Sequence, residues 1–340
     1  MPLADSFGLD YPIIQYADDT LLIMPACTEQ LRRLKILLDK FSSSTGLKVN
    51  YCKSSLIPIN LDHEKSSDLA QVIGCKVESL PFTYLGLPLG TTRPKMGDLI
   101  GILHRIDRRL IGIADTLSYD GRLVVIKYII SAIPNFSMCT LKLPLGFLDY
   151  IEGSTRGFFW RGKDIHQKGK CLVKWENVCK PKRVGGLGVL NLGKHNISLL
   201  MKHLFKFMNR EDLPWVKLIW QAHYTHDKLP QNTGSVGSFW WKDCITILNT
   251  FLEIDACTPG DGGTIRLWLD QWTDEMLRYK LPHLCSFAKS QSISLKQAVA
   301  ICVDEDIADM FHIPLSVVAD QQCDQLETLL ATSTELNIVG

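Results

Sequence analysis

Asp18 and Asp19 stand side by side in PIIQYADDTLLIM, residues 12 to 24, with an apolar run on either side. Adjacent carboxylates held at a strand end suit magnesium, which takes hard oxygen ligands in near-octahedral geometry. Two such ions about 3.5–4 Å apart can activate an attacking oxygen and steady a leaving phosphate, which is the chemistry of nucleotidyl transfer. The same dipeptide is also an ordinary pair of turn acids, so the surrounding sequence has to decide between the two readings.

A second group of candidates is cationic. Arg105, Arg108, Arg109, Arg122 and Lys127 lie in the most basic part of the chain, and Lys180 to Arg183 add a short run. Contacts from such side chains to phosphates set affinity without reading base sequence. Taken alone each reads first as a solvated surface charge and only their collective surplus points to phosphate, while the short run reads as a nuclear signal or as one more phosphate contact. The nine histidines form no HxxxH pair and the eleven cysteines no CxxC pair, so no metal site is expected from them.

The elements that must position these groups follow from pattern. The two apolar runs around Asp18 and Asp19 predict a tight hairpin with the acids at its tip. Leu31, Leu34, Leu38 and Phe41 recur at helical spacing after Thr28, and Gly46 supplies a stop, so an amphipathic helix is expected, packed under the hairpin. Val49 should open a short strand, and FTYLGLPLG, Phe82 to Gly90, reads as a further hairpin. Helices are expected over Leu99 to Leu110, over Arg122 to Ala132 with a stop at Pro134, and over Ile197 to Asn209. Gly185, Gly186 and Gly188 should break regular structure, and the last forty residues look weakly patterned.

At 340 residues and 46% hydrophobic content the chain can build two or three modest cores. The net charge of +1 conceals a segregation. Residues 93 to 210 carry 21 basic and 8 acidic side chains, whereas residues 243 to 340 carry 5 and 15. The middle of the chain is therefore where an anionic polymer would bind, driven by counterion release. The scattered cysteines suggest a reduced, intracellular protein, in nucleus or cytoplasm. No signal peptide is visible in MPLADSFGLD, and the tract Leu123 to Ile133 is too short to cross a bilayer.

Three blocks occur in a telling order: Tyr16-Ala17-Asp18-Asp19; Gly46-Leu47-Lys48-Val49-Asn50 with Lys53 and Ser54; and Tyr84-Leu85-Gly86-Leu87-Pro88-Leu89-Gly90. In these the chain resembles plant non-LTR (LINE-type) retrotransposon reverse transcriptases. The likeness continues through Leu117-Ser118, Gly121-Arg122, Ile126-Lys127, Phe158-Phe159-Trp160, Trp175, Gly185-Gly186-Leu187-Gly188, Gly260-Asp261-Gly262, Trp268, Asp270 and Trp272, so it covers about residues 12 to 275.

The resemblance implies an α/β (α+β) chain. Residues 1–92 would be part of a right-hand polymerase palm, 93–160 a helical thumb, 161–210 a basic connection and 211–340 a C-terminal region of open role. It implies RNA-directed DNA synthesis with magnesium, on an RNA template and a DNA primer. Asp18 and Asp19 would be the metal ligands, and Lys53 would neutralise or protonate the leaving pyrophosphate. Tyr84, Leu85 and Gly86 would grip the primer, while Arg105, Arg108, Arg109, Arg122 and Lys127 would hold phosphates.

The family places a third carboxylate on an earlier palm strand, and eleven residues precede Pro12, with Asp5 and Asp10 among them. Two carboxylates would leave the metals under-ligated, so inactivity of the chain alone is expected, with its hairpin edge unpaired unless a palm fragment completes it in trans. The alternative is a noncatalytic nucleic-acid-binding remnant. Cys285, Cys302 and Cys323 are isolated and are expected to be core thiols.

Overall fold

The computed structural model describes residues 13–113, 116–162, 171–224, 237–254, 257, 262–263, 265–304 and 306–334. Asp5, Asp10, Pro12, the Gly260-Asp261 pair and most of the Arg161 to Lys170 loop lie outside the described residues. The contacts define two compact units, Met1–Ser137 with Leu143–Gly193, and Met138–Lys142 with Lys194–Gly340. The fold is α+β: helices dominate, and the described strands form three separate two-stranded sheets.

In the first unit Ile13–Tyr16 pairs antiparallel with Asp19–Leu22, Tyr16 lying opposite Asp19. Ala17 turns the chain with φ 52°, the left-handed backbone that a two-residue hairpin turn demands. The helix Thr28–Thr45 ends as expected, Gly46 adopting φ 76° and donating its N–H to the Ser42 carbonyl.

That helix does not pack under the hairpin, contrary to expectation. Leu31 is its one buried residue, and it pairs instead with the helix His63–Ile73, which Asp62 caps by accepting from the Lys65 N–H at 2.7 Å. Ile13 and Tyr16 on the hairpin stay 60% and 66% exposed, and Ile36, Leu37 and Phe41 of the helix are exposed as well. Two strands alone offer too narrow a face to bury a helix.

The expected strand at Val49 is also displaced. Asn50 accepts from the Lys53 N–H through both its carbonyl and its side-chain oxygen, and from the Ser54 N–H and hydroxyl, so residues 50–54 form a turn. The strand is Ser55–Leu56, parallel to Lys76–Val77. The second hairpin forms as read, Phe82–Tyr84 against Leu87–Leu89.

Farther on, a 3₁₀ turn at Met96–Leu99 leads into the helix Ile100–Ile113, whose stripe of Leu103, Ile106 and Leu110 is buried. The helix expected from Arg122 to Ala132 is instead Tyr119–Val125 followed by a π-helical turn, Ile126–Ile130. Ser131 brings both its N–H (3.1 Å) and its hydroxyl (2.8 Å) to the Ile126 carbonyl, which fixes the wider turn. The helix Leu145–Arg161 packs against both of these helices, and Phe147, Ile151 and Phe158 on it are fully buried.

The second unit has two cores. Leu204, Phe207, Trp241, Cys244 and Leu248 fill one, around the helices Leu192–Met208, Phe239–Ile245 and Leu248–Ile254. Leu192–Met208 begins five residues before the expected Ile197. Leu267, Trp268, Leu284, Val299, Phe311 and Leu330 fill the other. The weakly patterned tail contains an 18-residue helix, Val317–Thr334, which buries Ala319, Cys323, Leu326 and Leu330 at helical spacing. Alanine and cysteine are weak apolar markers, which hid the stripe. Cys285 and Cys323 are buried and Cys302 is half-buried. Among the described residues no helix is long and apolar enough to cross a membrane.

Candidate functional site

The hairpin register decides where the acids sit. Tyr16 pairs with Asp19, so Ala17 and Asp18 are the two turn residues and Asp19 is the first residue of the returning strand. Both carboxylates are exposed at the tip. Asp18 and Asp19 are adjacent hard oxygen donors, one in the two-residue turn and the other on the strand that leaves it. Among the described residues no group of three or more His, Cys, Asp and Glu side chains is placed to hold a metal ion.

Lys53 lies on the separate, exposed Asn50 turn, where the Asn50 oxygens hold its backbone and leave the ammonium in solvent. Tyr84, Leu85 and Gly86 form the second hairpin's turn. Leu85 and Gly86 have φ 50° and 78°, the pair of positive angles typical of a type I′ turn. The Tyr84 hydroxyl is buried and has no hydrogen-bond partner among the described residues.

The basic candidates separate into two kinds. Arg105, Arg108 and Arg109 stand exposed on the Ile100–Ile113 helix, away from its buried stripe. The helix has a single acid, Asp107, and the Tyr150 hydroxyl donates to it at 2.7 Å. That hydrogen bond, with burial and the carboxylate charge, pushes the Tyr150 phenol up to about 12, so it remains a donor. With Asp107 turned toward Tyr150, the arginine face keeps its positive charge.

Arg122 is held inward. Its Nη1 donates to the Phe159 carbonyl at 3.4 Å and its guanidinium lies 5.4 Å from the Tyr119 ring centre, with Nε buried. Its first visible task is to tie the Tyr119–Val125 helix to Leu145–Arg161. Lys127 is half-buried on the π-helical turn, and its Nζ reaches the Gly188 loop, 3.5 Å from where a Cβ on Gly188 would lie.

Sequence reasoning missed the Arg266–Asp270 pair. Arg266 donates to Asp270 Oδ1 through Nη2 (2.7 Å) and Nε (3.2 Å), and through its backbone N–H to Oδ2 (2.7 Å), with both side chains buried. The pair closes the turn that brings Leu267 and Trp268 into the core. Asp270 was visible as part of a motif, but nothing local marked Arg266 as its partner.

No family model matches the chain. Over 177 residues it is 33% identical to an Arabidopsis thaliana protein named "Putative ribonuclease H protein", in a match covering 50% of this chain and 28% of that relative. It is 26% identical over 143 residues to a second protein of the same plant, "Uncharacterized mitochondrial protein", covering 42% of this chain and 92% of that relative. The chain is thus similar to plant proteins, and its match spans little more than a quarter of the first relative's length.

Proposed function

We propose that this chain derives from the reverse transcriptase of a plant non-LTR retrotransposon, and that by itself it holds RNA–DNA duplex without copying it. The observation that carries the reading is the Tyr16–Asp19 register, which sets Asp18 in the turn and Asp19 beside it at the tip of a two-residue hairpin. The Gly46 helix stop and the Tyr84–Leu87 hairpin, both in the order of the sequence blocks, support it. So does the similarity to a plant protein named for ribonuclease H.

Polymerisation is the ancestral reaction in this reading. Asp18 and Asp19 would hold magnesium, which when bound supplies charge neutralisation at the reacting phosphate. The residues described here contribute orientation at that tip but no third carboxylate. The retained property is binding of the phosphate backbone, for which Arg105, Arg108 and Arg109 provide an exposed cationic face.

Primer extension on an RNA template with magnesium tests the first part, and fluorescence anisotropy of a labelled RNA–DNA duplex tests the second. No incorporation, together with duplex binding that survives Asp18→Asn, is the expected result. Incorporation that disappears in Asp18→Asn and Asp19→Asn would overturn the noncatalytic half. Absence of any salt-sensitive binding would overturn the other.

A further inference from the structure

The loop after the Trp175–Cys179 helix is folded tightly enough to act as a rigid mount. The Gly185 N–H bonds to the Lys182 carbonyl (3.1 Å), Gly186 to Pro181 (3.2 Å), Leu187 to Val178 (2.9 Å) and Gly188 to Lys180 (2.9 Å). Gly185 and Gly188 adopt φ 84° and 67°, and at Gly186 any Cβ would meet the Lys180 carbonyl oxygen at 2.0 Å. The four consecutive amides of residues 185–188 are therefore consumed internally. What it presents is its side chains.

Those side chains are cationic, and one more cation comes from elsewhere in the unit. Lys180, Lys182 and Arg183 are exposed. Lys182 Cγ lies 3.9 Å, and Lys127 Nζ 3.5 Å, from the same point above Gly188. Lys127, 55 positions upstream of Lys182, is thus brought beside it by the π-helical turn Ile126–Ile130. Among the described residues none of Lys127, Lys180, Lys182 and Arg183 has an ion pair or side-chain hydrogen bond. Glu176, on the adjoining helical turn, is exposed and bonds to none of them. Like charges gathered on a stiff support at a mutual electrostatic cost are favoured when an anion sits among them.

We infer that Lys127 and the Lys180–Arg183 loop form a phosphodiester-binding site, separate from the Arg105, Arg108 and Arg109 face, that grips the backbone of a bound nucleic-acid duplex. This rests on the nucleic-acid reading above and adds a second point of attachment to it. Lysine ammonium groups on a fixed loop take a phosphate as point charges and read no base.

The test is duplex affinity of the full chain as a function of salt, between about 50 and 200 mM. Lys127→Gln with Lys182→Gln should weaken binding about tenfold and lower the slope of log affinity against log salt by about 0.9 per lost phosphate contact. Lys127→Arg with Lys182→Arg, which keeps both charges, should bind like the parent chain. Arg105→Gln with Arg108→Gln and Arg109→Gln should lower the slope independently.

A glutamine pair with the parent slope, while Arg105→Gln with Arg108→Gln and Arg109→Gln loses affinity, overturns the loop site and leaves the proposed function standing. Failure of the parent chain to bind duplex overturns both. Loss of binding in the charge-conserving arginine pair as well would mean that the loop acts through its shape, and overturns the site too.

Discussion

Gly186 lies so close over Lys180 that a methyl group on its Cα would sit 2.0 Å from the Lys180 carbonyl oxygen. The contact closes the loop that carries Lys180, Lys182 and Arg183, and it explains why glycine stands there irrespective of backbone angle. Shape at this loop is enforced by sterics, whereas its charge faces solvent, so the two can be varied separately.

Gly186→Ala should therefore destabilise the chain by about 1–3 kcal/mol, the usual cost of overpacking. Gly153, within the Leu145–Arg161 helix, has nothing within 4 Å of an added Cβ. Gly153→Ala should stabilise by about 0.5–1 kcal/mol through helix propensity. Urea denaturation of the two variants beside the parent checks the opposite signs, and equal signs would refute the steric account.

The buried Arg266–Asp270 pair makes a second prediction. Asp270→Ala leaves a guanidinium that is 8% exposed without its carboxylate, at a cost of about 3–5 kcal/mol. A denaturation midpoint unchanged from the parent would show that the arginine finds water or another partner.

Tyr150→Phe should cost about 1–3 kcal/mol, because Asp107 Oδ2 loses its 2.7 Å donor while Asp107 Oδ1 is already buried without a partner. The double change Tyr150→Phe with Asp107→Leu should recover much of that loss. Thermal unfolding of both variants decides it.

His203 gives a pH dependence. Burial holds its imidazole below the ordinary 6.5, against the opposing effect of its 2.9 Å hydrogen bond to the Cys139 carbonyl. A histidine depressed in the folded state takes up its proton more readily when unfolded. Stability is then full above about 6.5 and falls as pH drops from there toward the folded-state value. His203→Gln should remove that slope from a series of denaturation midpoints, and a slope retained in the variant would assign it to another group.

The sequence on its own determined the local features of this protein, because each depends on residues a few positions apart. The turn at Ala17 and Asp18, the stop at Gly46, the hairpin around Leu85 and Gly86, and the basic bias of residues 93 to 210 were all legible there. Where a side-chain hydrogen bond competed with propensity, as at Asn50 and Ser131, the expected strand and helix gave way to a turn and a π-helical turn.

Tertiary structure alone decided which charges are available. Arg105 and Arg122 look equivalent in sequence, yet one faces solvent and the other is spent on the Phe159 carbonyl. Asp107 is turned toward Tyr150, 43 positions away, and Lys127 Nζ and Lys182 Cγ both lie within 4 Å of one point above Gly188. Such pairings depend on how helices pack, and packing is set by buried stripes contributed from distant parts of the chain, as in the Val317–Thr334 helix whose alanine and cysteine positions concealed it.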